Sequence, residues 1–349
     1  METITFECET ITPMFLAGAD GVTPELRAPS IKGALRFWWR AMNGHKDLKT
    51  LKEEETKLFG GTTGDSGQRS NVLIRVECED FVTSSQSFNQ QFQTYEGNAK
   101  RHSGKAFPTN AMYYLGYGPA NWVKEAKETR FIRHYITVGT NFNVIIKVKE
   151  KSKDEILKTF QVVEQFGGIG SKSRNAFGCF RIKKCSINED SIKLQPIKLR
   201  DFGGKNLADY TSFSNKISVF ETQKTDYNSW DEAFKSLCVA YQYARENVEY
   251  WHNWAIRELI ALPIVVKGER EIEDNFLQRH SKPYFMHVTK TPEGYKGEIV
   301  LIPYNYLSNC PEIPIEKFEN KRADYFDSLC RFNNLLKTKL QTTIENSLQ

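Results

Sequence analysis

Long apolar runs are missing from this chain. Nowhere in its 349 residues is there an apolar run of the roughly eighteen that a membrane-spanning helix needs. The N-terminus alternates polar and apolar residues without a basic leader, so a secretory signal is not expected either. Cysteine is sparse: there are seven, an odd number, and none form a C-x-x-C pair. That argues against a zinc site or a disulfide framework and for reduced thiols in the cytoplasm. Charge of one sign is not in large excess, since the formal net charge is only +5, which by itself identifies no partner.

Nucleotide fingerprints are absent as well, although one stretch invites the comparison. In Glu-Gln-Phe-Gly-Gly-Ile-Gly-Ser-Lys-Ser-Arg-Asn-Ala-Phe-Gly, residues 164–178, Ser171 precedes Lys172 where a P-loop requires glycine. The flanking order is also reversed. Ile156, Leu157, Phe160, Val163 and Phe166 recur at helical spacing before the loop, and an extended run follows from Phe177. The dinucleotide motif fails because Ser173 stands where its third glycine belongs. Neither a nucleotide cofactor nor a metal is expected. What remains is a loop of Gly167, Gly168, Gly170, Ser171, Lys172, Ser173, Arg174 and Asn175. It reads either as a helix C-cap with a tight turn or as an anion site of exposed amides flanked by two cations. A cap needs one glycine and this loop has three before Lys172, which favours the anion site.

Hydrophobic content of 40% and charged content of 26% are ordinary for a globular protein. The length is too great for one small core and predicts two domains. The cations are clustered. No acidic residue lies between Glu25 and Asp47, a window that holds Arg27, Lys32, Arg36, Arg40 and Lys46. None lies between Glu164 and Glu189, and Lys100, Arg101 and Lys105 form a third acid-free patch. Basic windows set among aromatics and glycines are the footprint of a nucleic-acid surface.

The first window is also a helix by pattern, with Ser30 as N-cap and Asn43-Gly44 as the stop. Ile31, Leu35, Trp38 and Met42 fall on one face, which predicts a buried stripe. Lys32, Arg36, Trp39, Arg40 and Asn43 fall on another. There Trp39 either stacks on a base or packs, and the arginines either meet phosphate or pair with the acids of residues 53–55 on the next helix.

Taken in order, residues 1–190 read strand, helices, strand, a hairpin over 130–138 and 142–149, helix, glycine loop, strand. That is the split βαβ, ferredoxin-like plan with an insertion over 81–107. Residues 191–349 read as a second α+β domain. It has a strand at 217–220, helices at 230–246 and 250–261, a hairpin at 284–288 and 295–302, and a helical C-terminus over 315–345. The fold class expected is α+β, with two ferredoxin-like (RRM-related) domains, the second more helical.

Four stretches resemble the RAMP superfamily of CRISPR-associated proteins, and within it the first-subunit branch of Cmr (type III-B) complexes. They are Arg27-Ala-Pro-Ser-Ile-Lys-Gly-Ala-Leu-Arg-Phe-Trp-Trp-Arg40, Leu58-Phe59-Gly60, the glycine loop with Phe177-Gly178, and Arg279-His280-Ser281-Lys282-Pro283. The resemblance implies a non-catalytic subunit of an antiviral RNA-guided complex. It would contact the guide (CRISPR) RNA and target RNA near the guide's 3′ portion, beside other RAMP subunits and away from membranes. It makes Arg27, Lys32, Arg36, Arg40, Lys172, Arg174, Arg279 and His280 candidates for RNA contact; beside them an exposed aromatic such as Trp39 could stack a base. Asn175-Ala176 departs from the family's more basic continuation of the loop. Some RAMP relatives cut guide precursors, so the alternative is a metal-independent endoribonuclease using His45, His102, His134 or His280. The six histidines are scattered singly, and acid–base catalysis needs groups within mutual reach.

Overall fold

Alternation of apolar and polar residues builds the first sheet. The computed structural model describes residues 1–63, 66–78, 82–84, 94–96, 108–123, 128–131, 133–199, 206–248, 259–261, 281–306, 315–344 and 348. Strand β1 (Glu2–Thr10) turns Ile4, Phe6 and Cys8 inward, each almost wholly buried. Helices α1 (Ala28–Met42) and α2 (Leu48–Phe59) follow, then β2 (Leu73–Glu77) and β3 (Asn141–Val148). Helix α3 (Lys153–Phe166), β4 (Phe180–Ile187) and the short β5 (Asp190–Ile192) complete this half. The antiparallel order is β5-β4-β1-β3-β2. Without the β5 extension this is the ferredoxin-like arrangement, with α1 and α3 against the inner face.

The second half repeats the plan. Its elements are β6 (Ser218–Thr222), α4 (Trp230–Asn247), β7 (Tyr284–Lys290), β8 (Tyr295–Leu301), α5 (Ile315–Lys337) and β9 (Leu340–Ile344). The antiparallel order β7-β8-β6-β9 is the same topology again. The α+β expectation of two ferredoxin-like units is therefore met.

How the halves stack decides where a ligand can go. Tyr284, Met286 and Val288 on β7 join the cluster of α4 and α5, with Leu237, Tyr241 and Phe332. The alternate residue Phe285, with Val219, Val300 and Ile302, joins Trp38, Phe166 and the first sheet's core. The layers thus run sheet, α1 and α3, sheet, α4 and α5. Two consequences follow for an RRM-like reading. The second sheet's helix-free face is covered by the first half's helices. The first sheet's open face presents Thr3, Thr5, Glu7, Leu73, Arg75, Asn143, Ile145 and Lys147, and its described residues include no ring on which a base could stack.

Three sequence expectations need correction. Helix α1 starts at Ala28 with Arg27, not Ser30, as its N-cap, because Pro29 suits the first turn by its fixed φ and missing N–H. The 130–138 and 142–149 runs do not form a hairpin. Glu128–Phe131 pairs with Ala120–Val123, Tyr135–Ile136 pairs with Thr83–Ser84, and β3 joins the main sheet. The C-terminal helix stops at Lys337, and the chain returns as β9, the fourth strand of the second sheet. Most of the 81–107 insertion, including Lys100, Arg101, His102 and Lys105, and residues 249–258 of the second predicted helix, lie outside the described residues. Among the described residues no helix is long and apolar enough to cross a membrane.

Candidate nucleic-acid interface

The glycine loop is shaped by how closely it packs on the chain after β1. Ser171 N donates to Phe15 O at 2.8 Å, Gly178 N to Pro13 O at 2.9 Å, and Ile169 N to Gly178 O at 2.9 Å. Gly170 has φ +98°, and a Cβ there would sit 2.5 Å from Phe15 O. Lys172 and Ala176 adopt left-handed φ values of 62° and 61° although neither is glycine. Such residues cost about 1–2 kcal/mol each and persist only where neighbours over-determine them. Here Asn175 N holds Lys172 O at 2.7 Å, and Met286 N of β7 holds Arg174 O at 3.1 Å.

The backbone bonds that hold the loop fall on the amides of Gly167, Ile169, Ser171, Asn175 and Gly178. The reading of the loop as an anion site of exposed amides is narrowed to that extent. Gly168, Gly170 and Ser173 are outside that set, and all three line a groove of about 540 Å³. Its opposite wall is Ser30, Ala34, Phe37 and Trp38 of α1, and its ends are Phe15 to Gly18, Arg133 and Phe285.

Electrostatically the groove is one-sided. Helix α1 enters it with no side-chain cap and no acidic residue in its first turn, so the positive end of its dipole is uncompensated. Arg133 Nη1 lies 3.4 Å from Ser171 Oγ. Arg174 also lines the groove. Its guanidinium stacks 4.6 Å from the Phe285 ring centroid and 5.4 Å from that of Phe37, and its Nη1 donates to Lys282 O at 2.8 Å. Burial pulls the Arg174 pKa down from its ordinary value. Lys172 is exposed beside it. No aspartate, glutamate or histidine is among the groove's described lining residues. Glu25, 3.8 Å from Arg27 and well exposed, stands at the margin.

The structure brings together only part of the predicted set. Gly167, Gly168, Gly170, Ser171, Ser173 and Arg174 meet at the groove. Lys32, Arg36 and Arg40 lie on the other side of α1, toward α2. Arg36 Nε and Arg40 Nη1 both donate to Glu55 Oε1, at 2.7 and 2.5 Å, and Lys32 Nζ donates to Ser70 Oγ at 2.7 Å. Trp39 as a stacking ring is corrected: it is 1% exposed, packs on Phe59 and donates its indole N–H to Glu155 at 2.6 Å. The reason is that α1 is covered on several sides, by both sheets and α2, so its buried stripe is wider than one sheet would require. Asn175 is spent internally, donating to Leu115 O at 2.7 Å and accepting from Lys282 Nζ. Arg279 and His280 lie outside the described residues. Arg133 was missed because it sits in a run read as a strand; its only signal was its place in the basic stretch Arg130 to His134.

A family model described as the RAMP superfamily matches residues 7–181. Two curated relatives from Pyrococcus furiosus, CRISPR system Cmr subunits Cmr1-2 and Cmr1-1, are each 29% identical, over 196 and 189 residues. The first alignment covers 51% of this chain and 94% of the relative; the second covers 52% and 48%. The chain therefore spans about half the length of Cmr1-1. Among solved structures, apo Cmr1 from Pyrococcus furiosus superposes with a TM-score of 0.57 at 20% identity, covering 98% of both chains. A chain of the type III-B Cmr-beta complex bound to cognate target RNA and AMPPnP aligns with a TM-score of 0.51 at 10% identity, over 94% of this chain and 99% of that one. At these identities the structural matches establish the fold.

Proposed function

The chain belongs to the RAMP superfamily, and from that premise we propose that it is a non-catalytic RNA-binding subunit of a type III-B RNA-guided interference complex. In this reading it acts in antiviral defence beside other RAMP subunits and grips the guide RNA and its target near the guide's 3′ portion. The observation that carries the reading is the groove, where Arg133, Arg174, the uncapped end of α1 and the glycine loop converge with no carboxylate among the described lining residues. Phosphate contacts of this kind set position without reading sequence, which guide pairing supplies. The P. furiosus relatives are named as Cmr subunits, and the Cmr-beta structure is described as bound to cognate target RNA; both support the assignment. Cleavage is disfavoured because acid–base chemistry needs a titrating pair beside the scissile phosphate, and no histidine or carboxylate is among the described residues of the groove.

The test is the salt dependence of guide-RNA affinity for the assembled complex. Replacing Arg133 and Lys172 together with alanine should weaken binding and lower the slope of log K against log salt by about 0.7 per lost phosphate contact. Labelled repeat RNA should stay intact throughout. Unchanged affinity and slope would remove the groove from consideration, and metal-independent cuts would favour a nuclease.

A further inference from the structure

His287 stands behind the glycine loop. It is 2% exposed, on the face of β7 that meets the first half of the chain. Its Nδ1 lies 2.8 Å from Gly167 O, and since a carbonyl only accepts, Nδ1 carries the hydrogen. The ring is also hydrogen-bonded to the Cys179 thiol, which leaves Nε2 for that contact. Gly167 is the first residue after α3, and Cys179 is the last before β4. One side chain from the C-terminal half therefore touches both ends of the loop. Cys179 is held besides by its amide, which donates to Thr12 Oγ1 at 2.9 Å.

The charged and titratable groups facing the ring come from three elements. They are Cys179 at the loop's end, Glu298 opposite on β8, and Glu164 on α3. Burial alone would lower the imidazole's pKa; Cys179, Glu298 and the Gly167 carbonyl outweigh it and push it up to about 9. Burial would raise the Cys179 thiol, but His287 brings it below its ordinary value. The raised imidazole pKa keeps Nε2–H as the donor toward Cys179 Sγ, and the thiol's own hydrogen is directed at Ala176 O, 3.4 Å away.

We propose that His287 is the positioning residue of the groove, pinning Gly167 and Cys179 with one ring and so holding the intervening loop in the shape that presents Gly168, Gly170 and Ser173 to RNA. This rests on the groove being the RNA site. It does not require His287 to touch RNA, and its burial prevents that.

The experiment compares guide-RNA affinity against salt for assembled complexes carrying wild-type chain, His287→Ala, His287→Asn, or the Arg133→Ala/Lys172→Ala pair. His287→Ala, which removes both hydrogen bonds of the ring, should weaken binding about ten- to a hundredfold, with the salt slope unchanged. Asn, whose Nδ2–H stands where Nδ1–H stood, should recover the part of that loss owed to Gly167. Wild-type affinity should also fall as pH rises through about 9, because deprotonation removes the donor facing Cys179, and the Asn variant should lack that inflection. Should His287→Ala fail to fold, Asn and the pH profile decide. Wild-type affinity in His287→Ala, or an Asn variant that keeps the inflection, overturns the positioning role. An unchanged slope in the Arg133/Lys172 pair overturns instead the assignment of the groove.

Discussion

Glu55 shows how a single carboxylate can take cations away from a predicted surface. It is 7% exposed and accepts from both Arg36 and Arg40, so two formal charges present one in excess. Helical periodicity placed both arginines on one face correctly, but only the packing of α2 decides what that face meets. The same holds for Trp39, whose position on the basic face gave no sign of the second covering layer. Glu164 offers a test at this scale. Burial raises its pKa from the ordinary 4.5 to about 6, with nearby His287 limiting the rise. A carboxyl raised in the folded state holds a proton that the unfolded chain has already released. This group's contribution to stability is therefore greatest below 4.5 and declines as pH climbs through about 6. Above that, the ionised group costs about 2 kcal/mol. Glu164→Gln should raise the urea midpoint near pH 7.5, by up to about that free energy, and flatten the decline between pH 4.5 and about 6. An unaltered midpoint at neutral pH would show that the carboxylate is solvated.

Among the elements, those with clean periodicity were legible. Ile4, Phe6 and Cys8 announced β1, and Phe234, Leu237, Cys238, Tyr241 and Ala244 announced α4, all of them buried as the pattern requires. β9 was not, because Leu335, Leu336 and Leu340 continue a helical spacing past the turn in which Thr338 N donates to Leu335 O. Three consecutive β-branched residues, Thr342-Thr343-Ile344, were the overlooked signal. The glycine loop was legible as a loop, but not as one braced by Pro13, Phe15 and β7, which are remote in sequence. Gly178 is the tightest point of that brace: its φ is +67°, and a Cβ would run into the carbonyl oxygen of Ile169. Gly178→Ala should cost about 1–3 kcal/mol in a denaturant titration and weaken RNA binding with it. Wild-type stability would mean that the loop has slack.

At the scale of the whole molecule, two ferredoxin-like units could be read from the order of strands and helices. Their stacking could not, since alternation alone does not say what each face will meet. β7 serves both cores, giving Tyr284 and Met286 to one and Phe285 to the other. Burying a large apolar side chain is worth about 1.5–3 kcal/mol. Val219, Phe285, Val300 and Ile302 together therefore bind the halves by an amount comparable with a small domain's entire stability. This layering covers one sheet face, leaves the other without described aromatic rings, and keeps the cationic groove at the seam between the halves. Residue-resolved photo-crosslinking of guide RNA in the assembled complex tests that placement most directly. Crosslinks are predicted at Arg133, within Gly168 to Arg174, and at Phe37 on the facing helix. Crosslinks confined to Arg36 and Arg40, or to Thr5, Arg75 and Lys147 on the open sheet, would contradict it.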